Sequence, residues 1–177
     1  MANLKLKNPS GGSLNFASAD GASDLTVTFP AVTGTAMVSG NMPAFSASKQ
    51  GGNQAITQGT WTKITYNTEE FDTNNNFASS TFTPTVAGYY VLTANLETND
   101  FTGYGQMMFY KNGVYYTRAG TTNCSSQSAV PTGSVVLYMN GSTDYAEVYF
   151  YTSASGVSVT GDSNFATRFT GAMVRSA

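Results

Sequence analysis

Alternation of apolar and polar residues dominates this chain. In "STFTPTVAGYYVLTANL", residues 80–96, Tyr90, Leu92, Ala94 and Leu96 fall on one face of a strand, and Tyr89, Val91, Thr93 and Asn95 on the other. The strand is entered through Pro84 and Gly88, a pairing that suits a tight corner: proline fixes φ and glycine accepts angles that other residues resist. "DYAEVYFYT" repeats the alternation, with Ala146, Val148 and Phe150 as a core face and Tyr145, Glu147, Tyr149 and Tyr151 opposite. Asn112-Gly113 and Asn140-Gly141 mark tight turns between apolar runs. "PAFSASK", "TWTKITYN" and "NFATRFTGAMV" add further strands, and the Asn-rich "TEEFDTNNNFASS" reads as a solvated loop. The pattern predicts about eight strands at sandwich or jelly-roll spacing after Pro43, with no convincing helical period.

Residues 1–42 differ. Their alternating pieces, such as Leu25, Val27 and Phe29 against Thr26 and Thr28, are short and broken by Pro-Ser-Gly-Gly, Pro30 and Gly34. Two or three such strands cannot enclose a core. The segment is either a flexible arm or a stalk that gains its core by winding with copies of itself. The expected division is therefore 1–42, stalk or anchor, and 43–177, knob.

Composition supports an all-β reading. The chain carries 25 Thr, 19 Ser, 15 Asn and 18 Gly, while charged residues are only 10%. Thr and aromatics favour strands; Ser, Asn and Gly favour turns. A net charge of −2 argues against nucleic acid as a partner. No apolar run approaches the roughly 20 residues of a membrane span, so membrane insertion is not expected. The start "MANLKLKNPSGG" lacks the apolar stretch of a signal peptide. One cysteine, Cys124, permits no intrachain disulfide, so stability must come from packing or assembly.

Candidate chemistry is sparse. With no histidine, His-based triads and His metal sites are excluded. Cys124 in "TTNCSSQ" has no neighbouring base and reads as an ordinary thiol. Glu69, Glu70 and Asp72 cluster, but without the spacing of a dedicated calcium loop. Glycosidase chemistry would need two carboxylates facing one cleft, and no pair stands out. No phosphate-cradling glycine loop is present. The expectation is no enzyme, no cofactor and no metal. Three tyrosines on one supposedly solvent-facing strand (Tyr145, Tyr149 and Tyr151) are more aromatic surface than a monomer usually leaves open. They are candidates for a subunit interface; the other reading is a sheet face covered by the chain's own loops.

Taken in order, the segments resemble the C1q-like branch of the tumour-necrosis-factor jelly rolls. "PAFSASK" resembles the family's opening strand, and "FASSTFTPTVAGYYVLTANL" its Phe strand leading through a Pro-Gly corner into a Tyr-rich strand. "MMFYKNG" is similar to the strand ending in Lys-Asn-Gly, "VVLYMNGSTDYAEVYF" to a strand pair around a turn, and "FATRFTGAMV" to the closing Phe-x-Gly strand. The match spans residues 43–175, although "NGSTD" stands where the family usually has Gly-Asp and no collagen repeat precedes it. The resemblance implies a ten-strand-type jelly-roll sandwich and a tight homotrimer. "NPSGGSLNF…DLTVTFPAVTGTAMVSG" resembles short repeats of phage fibre and tail proteins. Together they imply a bacteriophage fibre protein of the tail or head, located in the virion. Residues 1–42 would join other virion proteins, and the knob would meet a host surface glycan or protein. The alternatives are a non-viral C1q-like recognition module and a polysaccharide depolymerase. Counting strand directions in such a fold puts the loops 112–133 and 153–164 at the far tip. Tyr115, Tyr116 and Arg118 are the binding candidates there: rings to stack on sugars, a guanidinium to hold carboxylates or phosphates. The alternative is that Tyr115 and Tyr116 continue a hairpin strand with at least one ring in the core.

Overall fold

The computed structural model describes residues 4–7, 9–16, 42–162, 164 and 166–177. The chain forms two compact units, Met1–Gly34 and Thr35–Ala177. In the first, β1 (Leu4–Lys7) pairs antiparallel with β2 (Ser13–Phe16), Leu4 opposite Phe16 and Lys7 opposite Ser13. The expected strand around Leu25–Phe29 lies outside the described residues.

The second unit contains β3 (Ala44–Ser48), β4 (Gln54–Ala55), β5 (Thr62–Lys63), β6 (Thr68–Asp72), β7 (Phe77–Ala78), β8 (Thr81–Phe82) and β9 (Gly88–Asn95). It continues with β10 (Phe101–Lys111), β11 (Val114–Gln127), β12 (Thr132–Met139), β13 (Ala146–Thr152), β14 (Ser158–Val159) and β15 (Arg168–Ser176). One sheet has the order β12-β9-β15-β3-β6; the other runs β11-β10-β13-β8-β7, with β5 also on β13. All pairings are antiparallel, a further short pair joins β14 to β4, and no helix occurs among the described residues. The fold is an all-β jelly-roll sandwich.

The core sits between the two sheets, where the period-two alternation sends its apolar set. Tyr90, Leu92, Ala94, Ala146, Val148 and Phe150 are all fully buried. Phe45 on β3 is the centre of an aromatic cluster. It stacks on Phe82 at 4.4 Å and on Phe77 at 4.9 Å, and meets Phe169 edge-on at 5.0 Å. The Phe-x-Gly of the closing strand has a packing cause: a Cβ on Gly171 would come within 2.6 Å of Phe45 Cε1, so only glycine lets that ring lie flat. Tyr66 also points into this cluster, and its hydroxyl has no hydrogen-bond partner.

The corner before β9 differs from its sequence reading. Gly88 does not use a left-handed angle; a Cβ there would collide with the Arg175 carbonyl of β15 and the Met173 side chain. The corner itself is held by Tyr90, whose buried hydroxyl donates to the Val86 carbonyl at 2.7 Å.

The two Asn-Gly signals do different jobs. Asn112 and Gly113 both have positive φ, 54° and 74°, and close the two-residue hairpin between β10 and β11. Asn140-Gly141 makes no hairpin, because β12 and β13 belong to different sheets. Its loop crosses the sandwich. Asn140 Oδ1 accepts the backbone N–H groups of Ser142, Thr143 and Asp144. The Asp144 carboxylate accepts Asn112 Nδ2 at 2.8 Å, the Asn140 N–H at 3.0 Å and Lys111 Nζ at 2.9 Å. The Asn112 amide first, then Lys111 and the Asn140 N–H, hold its carboxyl below the usual carboxylate range. One buried aspartate thus ties the two Asn-Gly turns together.

Two expected loops are strands instead. Glu69, Glu70 and Asp72 belong to β6, an edge strand paired with β3, and only the residues just after Asp72 form the turn. The stretch 112–133 is mostly β11, fourteen residues long and paired with β10.

Candidate functional site

The three residues expected at a distal loop, Tyr115, Tyr116 and Arg118, lie on β11. Tyr115 stands opposite Tyr110, and Arg118 opposite Met108. Phe109 pairs with Thr117, so Tyr116 is the extra residue of a β-bulge. Neither tyrosine ring enters the core: Tyr115 is 51% and Tyr116 45% exposed. Arg118 is exposed and has no ion-pair partner among the described residues.

Tyr145, Tyr149 and Tyr151 are half-buried rather than open. Their covering comes from the same chain. Tyr149 stacks on Tyr110 of β10, ring centroids 4.0 Å apart and planes 28° from parallel. Tyr151 packs against Trp61 at 5.3 Å and Tyr104 at 5.6 Å, and Trp61 reaches Tyr110 at 6.4 Å. Five rings from β10, β13 and the segment before β5 therefore make one continuous layer on the outer face of the six-stranded sheet. Burial raises the Tyr110 phenol; burial and then the Glu147 charge raise that of Tyr149. Both stay neutral hydroxyls at ordinary pH. Beneath the layer, Glu147 is 8% exposed and neutralised by Lys63 Nζ at 2.7 Å, with Thr81 Oγ1 donating to it at 3.2 Å.

The outer face of the five-stranded sheet is uncharged at its centre. Register places Val136, Val91, Ala172 and Ala44 in one row across four strands. The next row is Ser134, Thr93, Thr170, Ser46 and Phe71. Neither row contains a charge. Val136 is 58% exposed, Phe71 47% and Tyr138 42%, and Tyr138 packs on Tyr89 with centroids 5.6 Å apart. Val91, Ala172, Phe71 and their neighbours line a shallow depression in the middle of this face. The sequence reading overlooked it, although alternation in "GSVVLYMN" already sends Val136 and Tyr138 to the side opposite Leu137 and Met139.

The polar groups are committed to structure. Glu70 Oε2 accepts Ser46 Oγ at 3.0 Å and faces Arg168 at 3.5 Å; Asp72 accepts the backbone N–H of Phe77 at 2.7 Å. No three acidic, cysteine or histidine side chains converge among the described residues. The Cys124 thiol is buried, 3.5 Å from Thr122 Oγ1 and 3.9 Å from the Ser128 carbonyl oxygen.

No family model matches the chain, and no curated protein matches it. Solved structures do. The globular domain of zebrafish complement 1qA is similar over 76% of this chain and 98% of its own, at 17% identity and a TM-score of 0.56. Murine APRIL covers 75% of this chain and 99% of its own at 9% identity, TM-score 0.59. Eiger TNF from S. frugiperda covers 77% and 95% at 8% identity, TM-score 0.57. The class is thereby defined: the knob has the C1q/TNF jelly-roll fold. At such identities the likeness is one of fold.

Proposed function

We propose that the chain is a non-enzymatic attachment protein, a homotrimer of bacteriophage-fibre type. In this reading residues 1–42 join it to the virion and the jelly-roll knob meets a host surface. The observation that carries it is the pair of charge-free rows at the centre of the outer face of the five-stranded sheet, with Glu70, Arg168 and Arg175 only around them. Tyr and Val side chains left open in ordered rows suit a permanent subunit contact better than a solvated surface. The face also has two unlike parts: a projecting edge, Val136 and Tyr138 on β12, and a central depression around Val91 and Phe71. Unlike parts on one subunit favour a head-to-tail contact, which closes into a ring when the rotation allows. The fibre assignment rests on the resemblance of the N-terminal segment, most of which, Met1–Gly34, forms a compact unit apart from Thr35–Ala177. A second reading, a C1q-like recognition module outside any virus, is favoured by the similarity to the zebrafish complement domain.

Light scattering tests the trimer. The expected mass is three times the 18.7 kDa of one chain, and Val136→Asp with Tyr138→Asp should give folded monomers. A parent that is monomeric at micromolar concentration refutes the reading. For the fibre, a chain beginning at residue 42 should stay folded and trimeric but fail to join the particle; unfolding of that knob would refute the division. Antibody labelling of the source particle by electron microscopy separates the viral from the non-viral reading.

A further inference from the structure

The five-ring layer on the six-stranded sheet has two properties that packing alone does not explain. The first is Gln106 on β10. It faces outward between Thr121 and Tyr151 in register, is only 8% exposed, and its side-chain amide makes no hydrogen bond to any described residue. Its amide atoms are not enclosed, so at the floor of the ring layer they meet solvent with donors and acceptor open to a ligand. The second is Arg118. It occupies the same cross-strand row as Met108 and Tyr149, two strands and so roughly 10 Å from Tyr149. It is exposed and has no ion-pair partner among the described residues, whereas the layer's other ionic groups, Lys63 and Glu147, neutralise each other. Flat rings, an idle amide and a single uncompensated guanidinium stand on one surface.

We infer that this surface is a binding site for an acidic glycan, with pyranose rings lying on Trp61 and its neighbouring tyrosines and a sugar carboxylate paired with Arg118. The apolar face of a pyranose stacks on aromatic rings, whose hydroxyl-bearing partners here stay neutral. The Gln106 amide supplies both a donor and an acceptor to a sugar hydroxyl. The guanidinium fork matches a carboxylate in two hydrogen bonds. A ligand bridging rings and cation must span several ångströms of sheet, which an oligosaccharide does and a small anion does not. The chain's net charge of −2 gives a polyanion no general attraction, so the binding is local to this face. The inference deepens the attachment reading and rests on it.

Trp61 is the single tryptophan of the chain, so its emission reports on this surface directly. The full chain is titrated with polygalacturonate and with polysialic acid, and in parallel with dextran and dextran sulfate. A saturable change in Trp61 emission with a carboxylated polymer, absent with dextran, is the expected result. Arg118→Glu, an exposed position whose change leaves the fold intact, and Gln106→Glu should each weaken binding by more than about tenfold. Trp61→Ala, followed by affinity electrophoresis, should do the same. The inference is overturned if neither carboxylated polymer binds, if dextran sulfate binds equally well, or if Arg118→Glu leaves affinity unchanged. Trimer mass and host-cell attachment of the parent are measured alongside. A trimer that attaches but ignores acidic glycans sinks this site alone; one that neither assembles nor attaches sinks the underlying reading.

Discussion

Replacing Asp144 should loosen the knob at two turns at once, with a pH signature that identifies the cause. The carboxylate accepts three donors: the Asn112 side-chain amide, the Asn140 backbone N–H and Lys111 Nζ. Lys111 also donates to the Tyr138 carbonyl, so it stays in place when its counter-charge goes. A hydrogen bond to a charged group contributes about 1.5–3 kcal/mol, and the residue is 8% exposed, so water only partly replaces a lost acceptor. The three are coupled through one carboxylate and do not add. Asp144→Asn should therefore cost about 2–4 kcal/mol at pH 7, because one of its amide faces points donors at donors. The assay is urea unfolding at fixed chain concentration, so that the proposed assembly contributes equally to parent and variant. The folded carboxyl titrates below the unfolded value of about 3.9. Its contribution is thus fully present above about pH 4 and is lost as pH falls through the folded value. The gap between parent and variant should hold down to about pH 4 and narrow below it. A gap below about 0.5 kcal/mol at pH 7, or one that stays constant to pH 3, would refute the argument.

Further outcomes follow from packing. Phe45→Ala removes the ring shared by three others and should cost about 3–5 kcal/mol, read as a lower denaturation midpoint. Gly171→Ala pushes on the same ring from the other side and should cost about 1–3 kcal/mol by overpacking. Tyr66→Phe should go the opposite way, raising stability by about 1 kcal/mol, because it deletes a buried hydroxyl that has no partner; a lower melting temperature would show that the hydroxyl is satisfied after all.

The core was legible from alternation, because burial on one side of a strand writes itself into every second residue. Tyr90, Leu92, Ala146, Val148 and Phe150 are buried as the pattern requires. Boundaries were less legible. "TEEFD" has no apolar alternation, yet β3 offers it a free edge and its backbone pairs there. The polar 114–127 run is likewise held by its neighbour β10 rather than by its own composition. The candidate site was half legible. Tyr149 and Tyr151 were visible as outward aromatics, but their partners Tyr110 and Trp61 come from separate parts of the chain, brought together only by strand order. Gln106 carries no signal in sequence at all, since an idle amide is a statement about surroundings.

The closing strand has a consequence for synthesis. β15, residues 168–176, is not at the margin of its sheet but between β3, the knob's first strand, and β9. A chain emerging from the ribosome holds Phe45 and Leu92 in hand long before the strand that joins their sheets exists. Until residue 176 has emerged, both flanking strands present unpaired backbone, and folding must wait for a contact spanning almost the whole knob. A copy that stops short of β15 leaves β3 and β9 unjoined and its five-stranded sheet in two pieces.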